Sequence, residues 1–204
     1  MRKHPVAHIP DGVLSAPVLM AGAAVTAAGL ARGLRELDPV RVPRVAVLSA
    51  VLFVASLVHF PAGLSSVHLL LNGLGGIVLG WAIFPAMLVA LVLQAVLFGF
   101  GGLLSLGVNT MDMAVPGLLA GLIFRHLWRD RSPGLFGALA GGGTVAVTAV
   151  MVAGVLALSG REFETAAQLV LLTHLPVMAV EAAFTAAVIS LLARVKPEML
   201  RAPP

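Results

Sequence analysis

The feature that most constrains this chain is the length of its uncharged stretches. No Asp, Glu, Lys or Arg occurs between Arg44 and Asp112, and the intervening residues are mostly Leu, Val, Ala and Gly. About 20 consecutive apolar residues are enough for a helix to cross the hydrocarbon core of a bilayer. Across the chain 59% of residues are hydrophobic and 11% are charged, against roughly 45–50% apolar residues in soluble domains. The sequence therefore predicts an integral membrane protein.

The apolar runs indicate helices rather than barrel strands. Backbone groups in lipid must be hydrogen-bonded internally, and these runs lack the alternation of lipid-facing and lumen-facing residues that a barrel strand shows. We predict an all-α polytopic bundle of about seven transmembrane helices. The predicted spans are residues 13–31, 45–60, 67–80, 83–98, 111–124, 135–158 and 169–192, with an irregular glycine-rich segment at 99–107. Residues 1–204 then form a single domain, in which tails at 1–12 and 193–204 flank a bundle at 13–192.

The distribution of basic residues predicts an orientation for this bundle. With seven spans and the N-terminus outside, ten of the thirteen Lys and Arg residues fall on the inner side, as the positive-inside rule requires. These are Arg32, Arg35, Arg41, Arg44, Arg125, Arg129, Arg131, Arg194, Lys196 and Arg201. The N-terminal tail is therefore predicted to be extracellular and the C-terminal tail cytoplasmic. The orientation also explains the net charge of +4 better than affinity for nucleic acid does.

Polar side chains in or beside the spans are candidates for a functional role, because burying a polar group in lipid is energetically costly. On the predicted topology most of them fall toward the outer half, and Glu181 lies deeper in the seventh span. The outer set comprises His8, His59, His68, Asn109, Asp112 and His174. This convergence predicts a site that opens outward. The chain has no Cys, so a metal bound there would be held by nitrogen, oxygen or Met sulfur.

The segment around His8 suggests what such a site holds. Pro10, Asp11 and Gly12 are strong turn formers, so the tail can reverse before the first span and carry His8 toward His68. Two imidazoles with further nitrogen donors would suit Ni(II), Co(II) or Cu(II), and a square-planar nitrogen set is most natural for nickel or copper. Histidines in membrane proteins also serve as hydrogen-bond partners between helices. Spacing alone leaves both interpretations open.

An ordered series of motifs extends over nearly the whole chain. These are His8-Ile9-Pro10-Asp11-Gly12, His59-Phe60-Pro61, Ser66-Val67-His68-Leu69, Gln94-Ala95, Phe98-Gly99-Phe100-Gly101-Gly102, Leu106-Gly107-Val108-Asn109 with Met113, and His174-Leu175-Pro176 with Glu181 and Thr185. In these motifs the sequence resembles the CbiM/NikM family, the substrate-binding membrane components of energy-coupling-factor transporters for cobalt and nickel. The family's seven helices and extracellular N-terminus agree with the spans and the charge distribution.

The resemblance implies a metal site made of nitrogen atoms. In the family the ion is held by the N-terminal amine, by the backbone nitrogen and imidazole of a His at mature position two, and by a second His. Carried onto this sequence, the ligands are Ala7, His8 and His68, and the cargo is Co(II) or Ni(II). Seven residues precede His8 here, which departs from the pattern. The resemblance therefore requires either processing or a later start, such as Val6 read as Met.

The remaining polar residues are expected to support the site. His59 stands where the family more often has Asn, and we expect it to orient a ligand imidazole. Asn109 and Asp112 are either N-caps of the fifth span or supporting residues. His174 and Glu181 are seven residues apart and therefore near one helix face, which favours a structural hydrogen-bond pair.

The predicted function is substrate capture in an energy-coupling-factor ABC transporter that imports divalent cobalt or nickel. The chain has no G-x-x-x-x-G-K-[ST] loop, so it is not expected to be an enzyme. The resemblance implies that a pair of ATPases, a transmembrane coupling protein and often a small auxiliary membrane subunit are its partners.

Two other functions remain as alternatives. A self-sufficient channel or secondary carrier would need a polar path to the inner side, whereas the inner halves of the spans are almost wholly apolar. A membrane enzyme could use His174 and Glu181 for acid–base chemistry, but no nucleophile is predicted beside them.

Overall fold

The structure, a computed structural model, describes residues 8–62, 65–128 and 132–200, with the backbone alone for 59–62 and 65–67. Its described part is a bundle of seven α-helices, which confirms the predicted helical fold. They are α1 (Ala16–Leu34), α2 (Arg41–Ser56), α3 (Asn72–Leu79), α4 (Ile83–Phe98), α5 (Leu106–Leu127), α6 (Pro133–Ser159) and α7 (Glu164–Val195). Short 3-10 turns lie at Gly80–Ala82, Arg161–Phe163 and Pro197–Met199.

A β-hairpin that the sequence did not predict lies between α2 and α3. Strands β1 (His59–Ala62) and β2 (Ser65–His68) pair antiparallel, with His59 opposite His68. The hairpin replaces the end of the second predicted span and the start of the third. Hydropathy cannot distinguish these alternatives, because a paired hairpin buried in protein also satisfies its backbone groups at membrane depth.

The helices differ in their ability to cross a bilayer alone. Within the described residues, five stretches are long and apolar enough: Ala16–Leu34, Asn72–Phe98, Leu106–Leu127, Pro133–Ser159 and Arg161–Val195. Helix α2 has 16 residues and α3 only eight. The third and fourth predicted spans form one of these five stretches, broken at Gly80, whose φ of +59° separates α3 from α4. The described residues thus contain the seven α-helices that match the predicted number, but only five stretches long enough to cross a bilayer alone.

Contacts at the two ends of the bundle show how two pairs of helices are oriented. At one end, called the His8 end below, the backbone N–H of Ser15 before α1 donates to the hydroxyl of Ser159 at the end of α6, over 3.2 Å. At the opposite end, called the Arg125 end, Arg125 near the end of α5 donates over 3.1 Å to the carbonyl of Ile77 near the end of α3. Helices α3 and α5 therefore run in parallel.

Helix α3 is the most enclosed element, since all eight of its residues are buried. Its Gly76 packs directly on the backbone of α5, where an added Cβ would overlap the carbonyl of Gly117. Gly141 of α6 packs similarly on α7, against the carbonyl of Glu181. These small residues mediate close packing within the chain. By contrast, α1, α2, α6 and α7 expose many large apolar side chains, which is typical of a lipid-facing surface.

Candidate metal centre

The N-terminal segment turns back into the bundle before α1. Gly12 has a φ of +85°, and the carboxylate of Asp11 accepts hydrogen bonds from the backbone N–H groups of Leu103 (3.0 Å) and Ser105 (2.9 Å). Asp11 thus ties the turn to the glycine-rich segment between α4 and α5. The turn that the sequence predicted is present, and it directs His8 inward.

The backbone of Ile9 is held by side chains at the start of α5. Its N–H donates to Oδ1 of Asn109 over 3.2 Å, and its carbonyl accepts from Nδ2 of Asn109 (3.0 Å) and from the hydroxyl of Ser105 (2.6 Å). Helix α5 begins earlier than predicted, at Leu106, without a side-chain capping bond. The N-cap alternative for Asn109 and Asp112 is therefore wrong, and Asn109 positions the residue next to His8.

The imidazole of His8 is oriented by Gln94 on α4. Nε2 of His8 lies 2.8 Å from Oε1 of Gln94. Because an amide oxygen only accepts hydrogen bonds, Nε2 carries the proton and Nδ1 carries the lone pair. Gly101 has a φ of +75°, and a Cβ there would lie 3.2 Å from Cβ of His8. A glycine at this position lets the loop approach the ring closely.

The surroundings of His8 also keep its ring neutral. Desolvation inside the bundle, and next the proximity of His68, lower the pKa of His8 from 6.5 to about 3, against a smaller opposing effect of Gln94. The ring is therefore uncharged at neutral pH. Neutral imidazole is the form that binds a metal.

His68 faces His8 across the mouth of the bundle. The two ring centroids are 5.0 Å apart with an interplanar angle of 63°, and His68 is 5% exposed. Nδ1 of His68 lies 2.9 Å from the carbonyl oxygen of Leu69, so Nδ1 donates and Nε2 carries the lone pair. The structure brings together two imidazoles whose tautomers are both determined by protein acceptors.

Glu181 holds the segment that follows His68. Its carboxylate is 0% exposed and accepts hydrogen bonds from the backbone N–H groups of Leu70 and Leu71. His174 bonds elsewhere, with Nδ1 2.7 Å from the carbonyl of Val170 one turn earlier. The predicted hydrogen-bond pair between His174 and Glu181 is therefore wrong, because Oε1 of Glu181 accepts from backbone N–H groups and its Oε2 has no partner among the described residues.

A cavity of about 430 Å³ lies beside the histidine pair, between the N-terminal segment and helices α5, α6 and α7. Both His8 and His68 line it, together with Asp112, Thr148 and His174. The rest of its wall is largely apolar. The structure therefore gathers polar residues from five separate segments of the sequence around one space at the His8 end.

Two predicted site residues are not reached by the structure. Ala7 lies outside the described residues, and so does the side chain of His59, although its backbone pairs with His68. In the described part of the chain, no group of three or more His, Cys, Asp or Glu side chains is arranged to hold a metal. A metal site based on His8 and His68 would therefore need a backbone or terminal nitrogen to complete its set of ligands.

Gln94 and Ser105 were not predicted to have a role, although both contact the N-terminal segment. Gln94 is 2% exposed on a helix whose other residues are almost all apolar. A lone amide in an apolar span was a usable signal, because it needs a partner. Ser105 offered no comparable signal, since serine is common in loops.

Comparison with known proteins identifies the family. The model of the cobalt uptake substrate-specific transmembrane region, CbiM, matches residues 8–199. A Haemophilus influenzae protein named for metal transport is 40% identical over 204 residues, covering 95% of this chain and 96% of the relative. The cobalt transport protein CbiM of Geobacter sulfurreducens is 32% identical over 213 residues, covering 95% of this chain and 61% of the relative.

Nickel transport proteins and solved structures are similar as well. The fused nickel transport protein NikMN of Rhodobacter capsulatus is 37% identical over 116 residues, which is 54% of this chain and 33% of that protein. The crystal structure of a transition metal transporter matches with a TM-score of 0.77 at 26% identity, covering 92% of this chain and 93% of the other. The chain is therefore a multi-pass membrane protein that belongs to the CbiM family of cobalt and nickel transport proteins.

Proposed function

We propose that this protein is the substrate-capture subunit of an energy-coupling-factor importer for Co(II) or Ni(II). The observation that carries the proposal is the His8–His68 pair, with ring centroids 5.0 Å apart beside a cavity. The family's description as a cobalt uptake region supports a metal cargo. A pair of neutral imidazoles of this kind suits a ligand that binds nitrogen donors, as a transition metal ion does.

The tautomer of His8 suits a chelate. With Nε2 bonded to Gln94, Nδ1 can bind an ion that also binds the backbone nitrogen of the same residue, closing a six-membered ring. An amine on residue 7 would add a five-membered ring through that backbone nitrogen. Nε2 of His68 then supplies the fourth nitrogen. Four nitrogens in one plane favour Ni(II) or Cu(II), and Co(II) also accepts nitrogen ligands.

Energy for transport would come from partner proteins. The chain has no phosphate-binding loop of the G-x-x-x-x-G-K-[ST] type. The Rhodobacter capsulatus relative is a fused protein, which supports a function within a multisubunit system. The proposed partners are a pair of ABC ATPases, a transmembrane coupling protein and a small auxiliary membrane subunit.

Calorimetric titration with NiCl₂ and CoCl₂ tests the proposal, on protein cut to begin at Ala7 and purified in detergent. We expect His68→Ala to abolish high-affinity binding while the protein stays folded. His126→Ala is the matched control, because His126 is exposed near the Arg125 end, and it should bind as the wild type does. Wild-type affinity in His68→Ala, or no binding by the wild-type protein, would overturn the proposed site.

A further inference from the structure

The carboxylate of Asp112 is buried without a partner. Asp112 is 1% exposed, and neither of its oxygens has a hydrogen-bond partner among the described residues. The two ion pairs within the described chain, Arg32–Glu36 and Arg41–Asp38, involve other acids. Asp112 thus differs from the buried Glu181, which is hydrogen-bonded to two backbone N–H groups.

A buried carboxylate without a hydrogen bond or a counterion lowers the stability of the folded protein. An acidic group removed from water is normally paired, hydrogen-bonded or bound to a cation. An unsatisfied buried group in a native structure therefore needs an explanation, such as a missing ion. Asp112 lines the same cavity as His8 and His68, so the explanation can lie inside that cavity.

The proposed ion at the histidine pair is a dication, and the imidazoles that bind it are neutral. The described wall of the cavity contains one acidic side chain, that of Asp112. We propose, on the basis of the proposed function, that Asp112 supplies the negative charge that stabilises the divalent ion across the cavity, without being one of its direct ligands. Water within the cavity would occupy the space between the carboxylate and the ion.

The size of the effect depends on how far apart the two charges lie. For a dication and a carboxylate on the order of 10 Å apart, Coulomb's law at an effective dielectric constant of about 20 gives a contribution to affinity on the order of 100-fold. An effect of this size is easily measured by titration.

The test is to compare Asp112→Asn with the wild type in two measurements in detergent, both on protein cut to begin at Ala7. The first is the affinity for NiCl₂, which we expect to fall on the order of 100-fold. The second is the thermal midpoint without metal, which we expect to be unchanged or higher, because the substitution removes a charge that has no partner. Asp38→Asn, which neutralises an exposed acid near the Arg125 end, should bind nickel as the wild type does.

The outcomes separate this inference from the proposed function. If the wild type binds nickel, His68→Ala does not and Asp112→Asn binds with wild-type affinity, the inference fails while the proposed function stands. A lower thermal midpoint or misfolding of metal-free Asp112→Asn would assign the residue a structural role and also overturn the inference. If the wild-type protein binds neither Ni(II) nor Co(II), both fail together. Asp112→Glu keeps the charge and should bind nickel more tightly than Asp112→Asn.

Discussion

The carboxylate of Glu181 accepts a hydrogen bond of 2.9 Å from the backbone N–H of Leu71, a residue 110 positions earlier. Leu71 has a φ of +48°, an uncommon conformation for a residue with a side chain. It directly precedes α3 and lies three residues after His68. Glu181 thereby links the middle of α7 to the segment that positions a proposed metal ligand.

Replacement of this carboxylate should therefore affect both stability and metal binding. Glu181→Ala leaves the buried N–H groups of Leu70 and Leu71 without their acceptor, at a cost of about 1–3 kcal/mol for each group. We expect a lower thermal midpoint in detergent and weaker nickel binding. Glu181→Gln retains an acceptor oxygen and should be intermediate. Unchanged stability in Glu181→Ala would show that Glu181 does not hold this segment.

The hydrogen bond between Gln94 and His8 predicts a specific effect on affinity. Gln94→Leu removes the acceptor for Nε2, so the ring loses both its orientation and its preferred tautomer. Loss of an outer partner of a metal-binding His typically weakens binding by about 10- to 100-fold, and we expect a reduction of this size in a nickel titration. Gln168→Leu, at an exposed position on α7, is the matched control. Equal affinities in the two variants would contradict the role of Gln94.

The start of the metal-binding chain can be tested directly. A free amine on Ala7 is a far better donor than the amide nitrogen that an internal residue 7 provides. We expect tight Ni(II) binding, with an absorbance band of square-planar nickel, only in protein cut to begin at Ala7. Protein that retains Met1 should bind weakly under the same conditions. Equal binding by both forms would show that the amine is dispensable.

The orientation in the membrane is open to cysteine labelling, because the native chain has no Cys. With the N-terminus outside, the connection between α6 and α7 is extracellular. We expect Glu162→Cys to react with an impermeant maleimide in whole cells, whereas Pro197→Cys should react only after the cells are permeabilised. The opposite labelling pattern would reverse the topology.

Because α3 and α5 pack so closely, adding a single methyl group at Gly76 should lower the stability of the protein. Gly76→Ala places a Cβ against the carbonyl of Gly117, and overpacking of this kind costs about 1–3 kcal/mol. Gly143→Ala is the control, since a Cβ at Gly143 on α6 would meet no atom within 4 Å. Alanine there should be neutral or stabilising by up to about 1 kcal/mol. Thermal unfolding in detergent should separate the two, and similar midpoints would contradict the packing.

The sequence by itself determined that this protein lies in a lipid bilayer and that its main secondary structure is helical. Long uncharged runs require helices in lipid, and the predicted span 83–98 coincides with α4. The turn before α1 was also predictable, because Pro, Asp and Gly restrict the backbone locally. These features depend on composition and on neighbours in the chain, which a sequence displays directly.

Only the tertiary structure decided which polar groups meet. The hairpin at His59–His68 was not predicted, because its strands are only four residues long and adjoin apolar runs that hydropathy assigns to helices. The bonds from Gln94 to His8 and from Glu181 to Leu70 and Leu71 join residues more than 80 positions apart. Hydrogen-bond partners of this kind depend on how helices pack, and spacing along one helix does not specify them. For the same reason the unpartnered carboxylate of Asp112 became visible only once its neighbours were in place.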